Sequence, residues 1–225
     1  DQPLNELPNQ LQSLGIICEN FNQPLDQLPN TLQKLLLMVD VFGYSLDKLP
    51  SSLNYLYVEL KFTVPSLDKL PISLKKLTIK NDNFNQPINN LPENLKSLDI
   101  ICHKFNQSLN HLPNSLEVLD LYCENMTHPI NNLPNSLLSM KFKCDNFNQS
   151  LDNLPNKLQS IEIYSETFNQ SLNNLPNSLK SLDISCENMD YPLNNLPENL
   201  LSMKFYCNNF NHPLDKLPNK LQSIE

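Results

Sequence analysis

The sequence predicts an all-β solenoid: a right-handed coil of about eleven 21-residue repeats forming one parallel sheet. Its back side is expected to be extended or polyproline-like, with no long helices. Three observations carry this expectation. Leu-Pro recurs from Leu7-Pro8 to Leu217-Pro218 at a spacing of 21 each time, without an insertion. Stacked coils need such strict spacing to stay in register, whereas helix bundles and hairpins do not. Roughly seven of the 21 positions are apolar, and they stay in fixed columns. Finally, the chain holds 18 Pro but only 2 Gly. Pro fixes φ and carries no N–H donor, which excludes helix from most of each repeat.

Residues 168–188, FNQSLNNLPNSLKSLDISCEN, show the unit clearly. Phe or Met opens each copy (Phe84, Phe105, Met126, Phe147, Phe168, Met189), and an aliphatic residue follows four positions later (Ile88, Leu172). Leu-Pro comes next, then a Leu three residues after the Pro (Leu95, Leu179). The stretch Leu182-Asp183-Ile184-Ser185-Cys186 alternates apolar and polar, the pattern of a strand with one buried face. Eleven such strands about 4.8 Å apart predict a sheet about 50 Å long. Of the 18 Pro, 11 lie in the Leu-Pro column, six in a second column (Pro3, Pro24, Pro87, Pro129, Pro192, Pro213), and Pro65 is left over. With Gly nearly absent, corners in left-handed backbone fall to Asn: Asn125, Asn146 and Asn188 on one side, Asn85, Asn106 and Asn169 on the other. Residues 105–162 and 168–225 share 43 of 58 positions, the mark of a duplicated three-repeat block, while the copies near Gly43 and Thr63 are the most divergent.

The FNQSLNNLPNSLKSLDI pattern resembles the FNIP repeat, a short relative of leucine-rich repeats found in slime moulds and giant DNA viruses. Its Leu-Pro-x-x-Leu-x-x-Leu-x-Ile core is also similar to the short leucine-rich repeats of bacterial effectors. The resemblance implies a leucine-rich-repeat-like solenoid across residues 1–225, a single domain. It further implies substrate capture for an F-box-type ubiquitin ligase, since FNIP-repeat proteins often carry an F-box-like module. The general pattern places an inward Asn where this chain has Glu124, Asp145, Glu166 and Glu187, so the buried corner position is expected at Cys instead. Because the sequence begins inside a repeat at Asp1 and stops in a strand at Glu225, it is read as a fragment of a longer protein.

Several function classes are disfavoured. Net charge is −8 with no basic cluster, which argues against nucleic acid, and no run of about 18 apolar residues points to a membrane span. All six Cys share one column (Cys18, Cys102, Cys123, Cys144, Cys186, Cys207) with Val39, Leu60, Asn81 and Ser165, the company of a small buried position. A metal-binding Cys ladder is the lesser alternative, because a line of thiols does not converge tetrahedrally. His103, His111, His128 and His212 occupy three columns and form no catalytic set, so no enzyme and no cofactor is expected. Unpaired thiols favour a reducing compartment: the cytoplasm, or a host's cytoplasm if the protein is viral.

The outward strand columns carry the functional expectation. One holds Asp99, Asp120, Lys141, Glu162, Asp183, Lys204 and Glu225; a second holds Ile17, Met38, Lys80, Ile101, Tyr122, Lys143, Tyr164 and Tyr206. Lys141 and Lys204 are placed to pair with the flanking acids. A third, acidic column leaves the strands at Glu19, Asp40, Asp82, Glu124, Asp145, Glu166 and Glu187. Large, variable side chains on an exposed face, rich in Tyr, suit a protein partner. The expected interface is Asp99, Asp120, Tyr122, Lys141, Lys143, Glu162, Tyr164, Asp183, Lys204 and Tyr206, facing a basic partner. The alternative is a purely structural or surface-adhesion rod, with glycan acceptors among Asn106, Asn125, Asn148 and Asn169.

Overall fold

The structure is a computed structural model that describes residues 4–225; Asp1 and Pro3 lie outside the described residues. After a 3-10 turn at Leu4–Glu6, eleven strands follow. They are β1 (Ser13–Ile17), β2 (Lys34–Val39), β3 (Tyr55–Leu60), β4 (Lys76–Lys80), β5 (Ser97–Ile101), β6 (Val118–Met126), β7 (Ser139–Phe147), β8 (Ser160–Tyr164), β9 (Ser181–Met189), β10 (Ser202–Phe210) and β11 (Ser223–Ile224). All eleven form one sheet in chain order, each pairing in parallel with the next. The register advances by one repeat per strand, as in Leu119↔Met140↔Ile161↔Leu182.

Alternation sets the two faces of the sheet. Leu98, Leu119, Met140, Ile161 and Leu182 point inward, as do Ile100, Leu121, Phe142, Ile163 and Ile184 two positions on, and all are buried. Against them pack the Leu that follows each Pro turn (Leu95, Leu116, Leu137) and the opening aromatic column. Rings in that column stack from coil to coil: Phe84 on Phe105 at 5.8 Å, and Phe147 on Phe168 at 6.0 Å. Burying each such side chain contributes about 1.5–3 kcal/mol, which must offset the ordering of a chain with little other cross-linking. In the divergent third coil Thr63 is exposed and Val64 turns inward instead.

The back side closes through one repeated turn. In all eleven coils the Leu three residues after the column Pro donates its N–H to the Pro carbonyl, at 3.0–3.1 Å. Pro lacks a donor, but here it is needed only as an acceptor with a preset φ. The Ser of Pro-Asn-Ser-Leu then ties coils together: Ser115 Oγ donates to the Leu95 carbonyl and Ser178 Oγ to that of Leu158, both at 2.6 Å.

The corners differ from the expectation for Asn. Among the described residues no backbone φ is positive, so no Asn supplies a left-handed turn. Asn instead bonds the next coil. The side-chain oxygens of Asn85, Asn106, Asn148 and Asn169 accept the backbone N–H of residues 106, 127, 169 and 190. The other Asn set forms an exposed ladder in which Asn146 Nδ2 donates to Asn125 Oδ1 and Asn209 Nδ2 to Asn188 Oδ1, at 3.0 and 2.8 Å. The amide of Asn106 also reaches Thr127, and that of Asn169 reaches Asp190, so both acceptor-type triplets are engaged in coil stacking.

Two corner types alternate along the C-terminal half. Strands β6, β7, β9 and β10 run nine residues, through Cys to Met or Phe, whereas β5 and β8 stop after five. At the short strands the next inward residue leaves the ladder and bonds backbone: Cys102 Sγ donates to the Phe84 carbonyl at 2.8 Å. Ser165 Oγ lies 2.9 Å from the Asp145 carbonyl and 3.0 Å from that of Phe147, and accepts the Phe147 N–H at 3.0 Å. The long-long-short order repeats every three coils, matching the duplicated block.

Candidate functional site

The outward face brings the sequence-predicted residues into two in-register lines. Asp99, Asp120, Lys141, Glu162, Asp183 and Lys204 form the first, across β5 to β10. Two positions further along the same strands lie Ile101, Tyr122, Lys143, Tyr164, Ser185 and Tyr206. The lines are deeper than expected: Asp99, Asp120, Tyr122, Glu162, Tyr164 and Asp183 are half-buried, and only Lys143, Lys204 and Tyr206 are open to solvent.

The first line is partly neutralised within itself. Lys141 pairs with Glu162, and Lys204 with Glu225 at 2.9 Å. The hydrogen bond to Glu162 holds the Lys141 ammonium above its ordinary pKa, and the bond to Glu225 does the same for Lys204. Asp183 forms no ion pair with Lys204, contrary to expectation. It accepts the Tyr164 hydroxyl at 2.7 Å instead, a bond that raises the Tyr164 pKa. Asp99 and Asp120 stand side by side, and burial raises both carboxyls above the usual range. The charge of Asp120 adds to the shift of Asp99, as expected where like charges are stacked. One oxygen each of Asp99 and Asp183 is buried without a hydrogen-bond partner.

In the second line Lys143 lies between two rings, its Nζ 5.6 Å from the Tyr122 centroid and 4.8 Å from that of Tyr164. Tyr206 donates to Glu225 at 3.1 Å. A comparable cluster, outside the residues expected from the sequence, sits in the N-terminal coils. Tyr57 donates to Glu59 at 2.7 Å and Lys80 pairs with the same carboxylate at 2.8 Å. Burial, then Glu59, pushes the Tyr57 hydroxyl up to about 12, while Lys80 pulls Glu59 down. Its signal was available: Tyr57 and Glu59 are spaced i, i+2 on one strand, and Lys80 is one repeat after Glu59.

The acidic exit column is exposed over Glu124, Asp145, Glu166 and Glu187. Lys61 pairs with Asp40 at 3.4 Å, and His103 sits 3.4 Å from Glu124 and 3.9 Å from Asp82. No cation of the column faces the three acids from Asp145 to Glu187.

The Cys column needs correction at both ends. Cys102, Cys123, Cys144 and Cys186 are buried, but Cys18 is exposed and Cys207 half-buried, because the terminal coils have covering on one side only. Burial raises the Cys102 thiol and pushes Cys186 up to about 12, and hydrogen bonding to Cys144 raises Cys123. Among the described residues no three His, Cys, Asp or Glu side chains converge to hold a metal ion. With a thiol-reactive disulfide reagent, the native protein is expected to show one fast class led by Cys18, then Cys207, and four protected thiols that react only on unfolding. Six thiols reacting at one rate would contradict the buried column.

Among the described residues no helix is long and apolar enough to cross a membrane. The coil, its single parallel sheet and its inward Leu columns define a leucine-rich-repeat-like solenoid. The FNIP Repeat family model matches residues 66–103 and 147–187. No curated protein matches it. Among solved structures it is similar to CroV588, described as a novel circular LRR protein structure, with 29% identity and a TM-score of 0.68. That match covers 97% of this chain and 40% of the CroV588 chain. YopM from Yersinia enterocolitica WA-314 shares the fold, with 18% identity and a TM-score of 0.55 over 99% of this chain and 61% of YopM. The chain thus spans less than two thirds of either neighbour. Repeat solenoids of this kind are in general protein-interaction scaffolds rather than catalysts.

Proposed function

We propose that this chain is a non-catalytic scaffold that binds a protein partner through the outward face of its parallel sheet, over Asp99, Asp120, Tyr122, Lys141, Lys143, Glu162, Tyr164, Asp183, Lys204 and Tyr206. One observation carries the reading. The inward columns stay apolar from coil to coil, while the outward line Ile101-Tyr122-Lys143-Tyr164-Ser185-Tyr206 switches between aliphatic, aromatic, cationic and small at nearly every step yet is held in place by bonds such as Tyr164–Asp183. Ordered, half-buried tyrosines lose little entropy on docking, which suits a recognition surface. The acid-rich face and the −8 charge favour a basic partner. The family resemblance extends the reading to substrate recognition for an F-box-type ubiquitin ligase, and the free thiols to a cytoplasmic setting. Replacing Tyr122, Tyr164 and Tyr206 together by Ala is expected to cut partner retention at least tenfold without changing the circular dichroism spectrum. Unchanged retention by that triple variant would sink the proposed face.

A further inference from the structure

We infer that Tyr164, Ser185 and Tyr206 form a notch that receives a lysine side chain from a basic partner polypeptide. This deepens the reading of the outward face as the binding surface and rests on it. The chain contains its own template for the contact. In the register Tyr122↔Lys143↔Tyr164↔Ser185↔Tyr206, two tyrosines flank a lysine, and the second of them with a third tyrosine flanks a serine. Both pairs of tyrosines are two strand steps apart, about 9.6 Å along the sheet. At the first, Lys143 Nζ fills the space, within cation–π reach of both rings. At the second, Ser185 is the one small residue in the whole column, and it lines an open groove of about 330 Å³.

That groove is lined by Tyr164, Ser185 and Tyr206 together with Asp145, Glu166 and Glu187. An ammonium group entering between the rings would therefore meet two aromatic faces and three anions, the environment that suits a cation. The rings are set in place before any partner arrives, since Tyr164 is bonded to Asp183 and Tyr206 to Glu225. The chain's own nearby ammonium groups are engaged elsewhere: Lys141 with Glu162, Lys204 with Glu225, and Lys143 in the preceding notch.

The test is a titration of 15N-labelled protein, followed by NMR, with a blocked Gly-Ser-Lys-Ser-Gly peptide and its Nε-acetyl-lysine twin. The lysine peptide is expected to shift the amides of Tyr164, Ser185, Glu187 and Tyr206 in a saturable way, and the acetylated twin is not. Ser185→Lys, which supplies the amine in cis as Lys143 does, is expected to weaken binding about fivefold or more. Lys143→Ser is expected to open a second notch, with new shifts at Tyr122. Equal response to both peptides, or undiminished binding by Ser185→Lys, overturns the notch. Lysine-specific shifts at Asp99 and Asp120 instead would overturn the notch and leave the outward face standing; shifts confined to the Leu-Pro column would overturn both.

Discussion

Phe147→Ala is expected to lower the unfolding free energy by about 3–5 kcal/mol, the largest loss from any single truncation in the aromatic column. Phe147 is fully buried, stacks on Phe168 and meets the edge of Phe142 at 5.2 Å. Removing it strips contacts from two coils at once. The void cannot collapse easily, because Phe142 and Phe147 both ride on β7, which ladder hydrogen bonds hold at a fixed distance from its neighbours. Phe147→Met should cost less than about 1.5 kcal/mol, since Met126 and Met189 already fill the same column. Urea unfolding followed by circular dichroism distinguishes the two. A loss under 1 kcal/mol for the Ala variant would mean that the coils can close around the gap. A second transition in the Ala variant would show the solenoid splitting at β7, as nearest-neighbour stability allows.

Asn81→Val is expected to cost about 2–4 kcal/mol, although it places an apolar residue at a buried site. Asn81 is the only Asn in the Cys column, and its amide knits one corner to the next. Its Nδ2 donates to the carbonyls of Leu60 at 2.6 Å and Phe62 at 3.0 Å, and its Oδ1 accepts the Asn83 N–H at 3.0 Å. Val fits the space, as Val39 does two coils earlier, but leaves the Leu60 carbonyl unpaired in a buried residue and removes the partners of the Phe62 carbonyl and the Asn83 N–H. Hydrogen exchange should show lost protection at the Asn83 amide and at neighbouring amides of the coil ends, with β8 to β10 unaffected. Protection unchanged at Asn83 would show that another acceptor takes over.

The coil itself was legible because its causes are local. Alternation at Leu182 and Ile184 defines a strand, a Leu three residues after each Pro defines a turn, and strict spacing does the rest. The corner chemistry was less so. Cys102 and Cys123 are the same residue in the same column, yet Cys102 bonds the Phe84 carbonyl while Cys123 continues the ladder opposite Cys144. Which happens depends on the neighbouring coil, and one repeat read alone does not contain it. The conformational tolerance of Asn points to turns, whereas Asn85, Asn106, Asn148 and Asn169 serve as acceptors for the next coil's N–H groups. On the outward face the two lines could be read directly from the columns. The importance of Ser185 could not, because a small residue becomes informative only when its neighbours' side chains are known to form walls. The depth of Asp99 likewise depends on Thr78 and Asp120 flanking it in adjacent strands.

The inter-coil hydrogen bonds have a genetic corollary. They join residues roughly one repeat apart, from 18 positions for Cys102–Phe84 to 23 for Cys144–Leu121. A coil therefore carries no information about how many others exist, and copying errors in whole-repeat units leave every backbone ladder bond a partner. The unit of error still matters. Gaining or losing one coil of the C-terminal half sets two corners of the same type out of order, whereas a 63-residue change preserves the long-long-short sequence. The 43 of 58 matched positions between residues 105–162 and 168–225 are what such an error leaves behind when it is tolerated. The repeated module in this half of the chain is the triplet of coils.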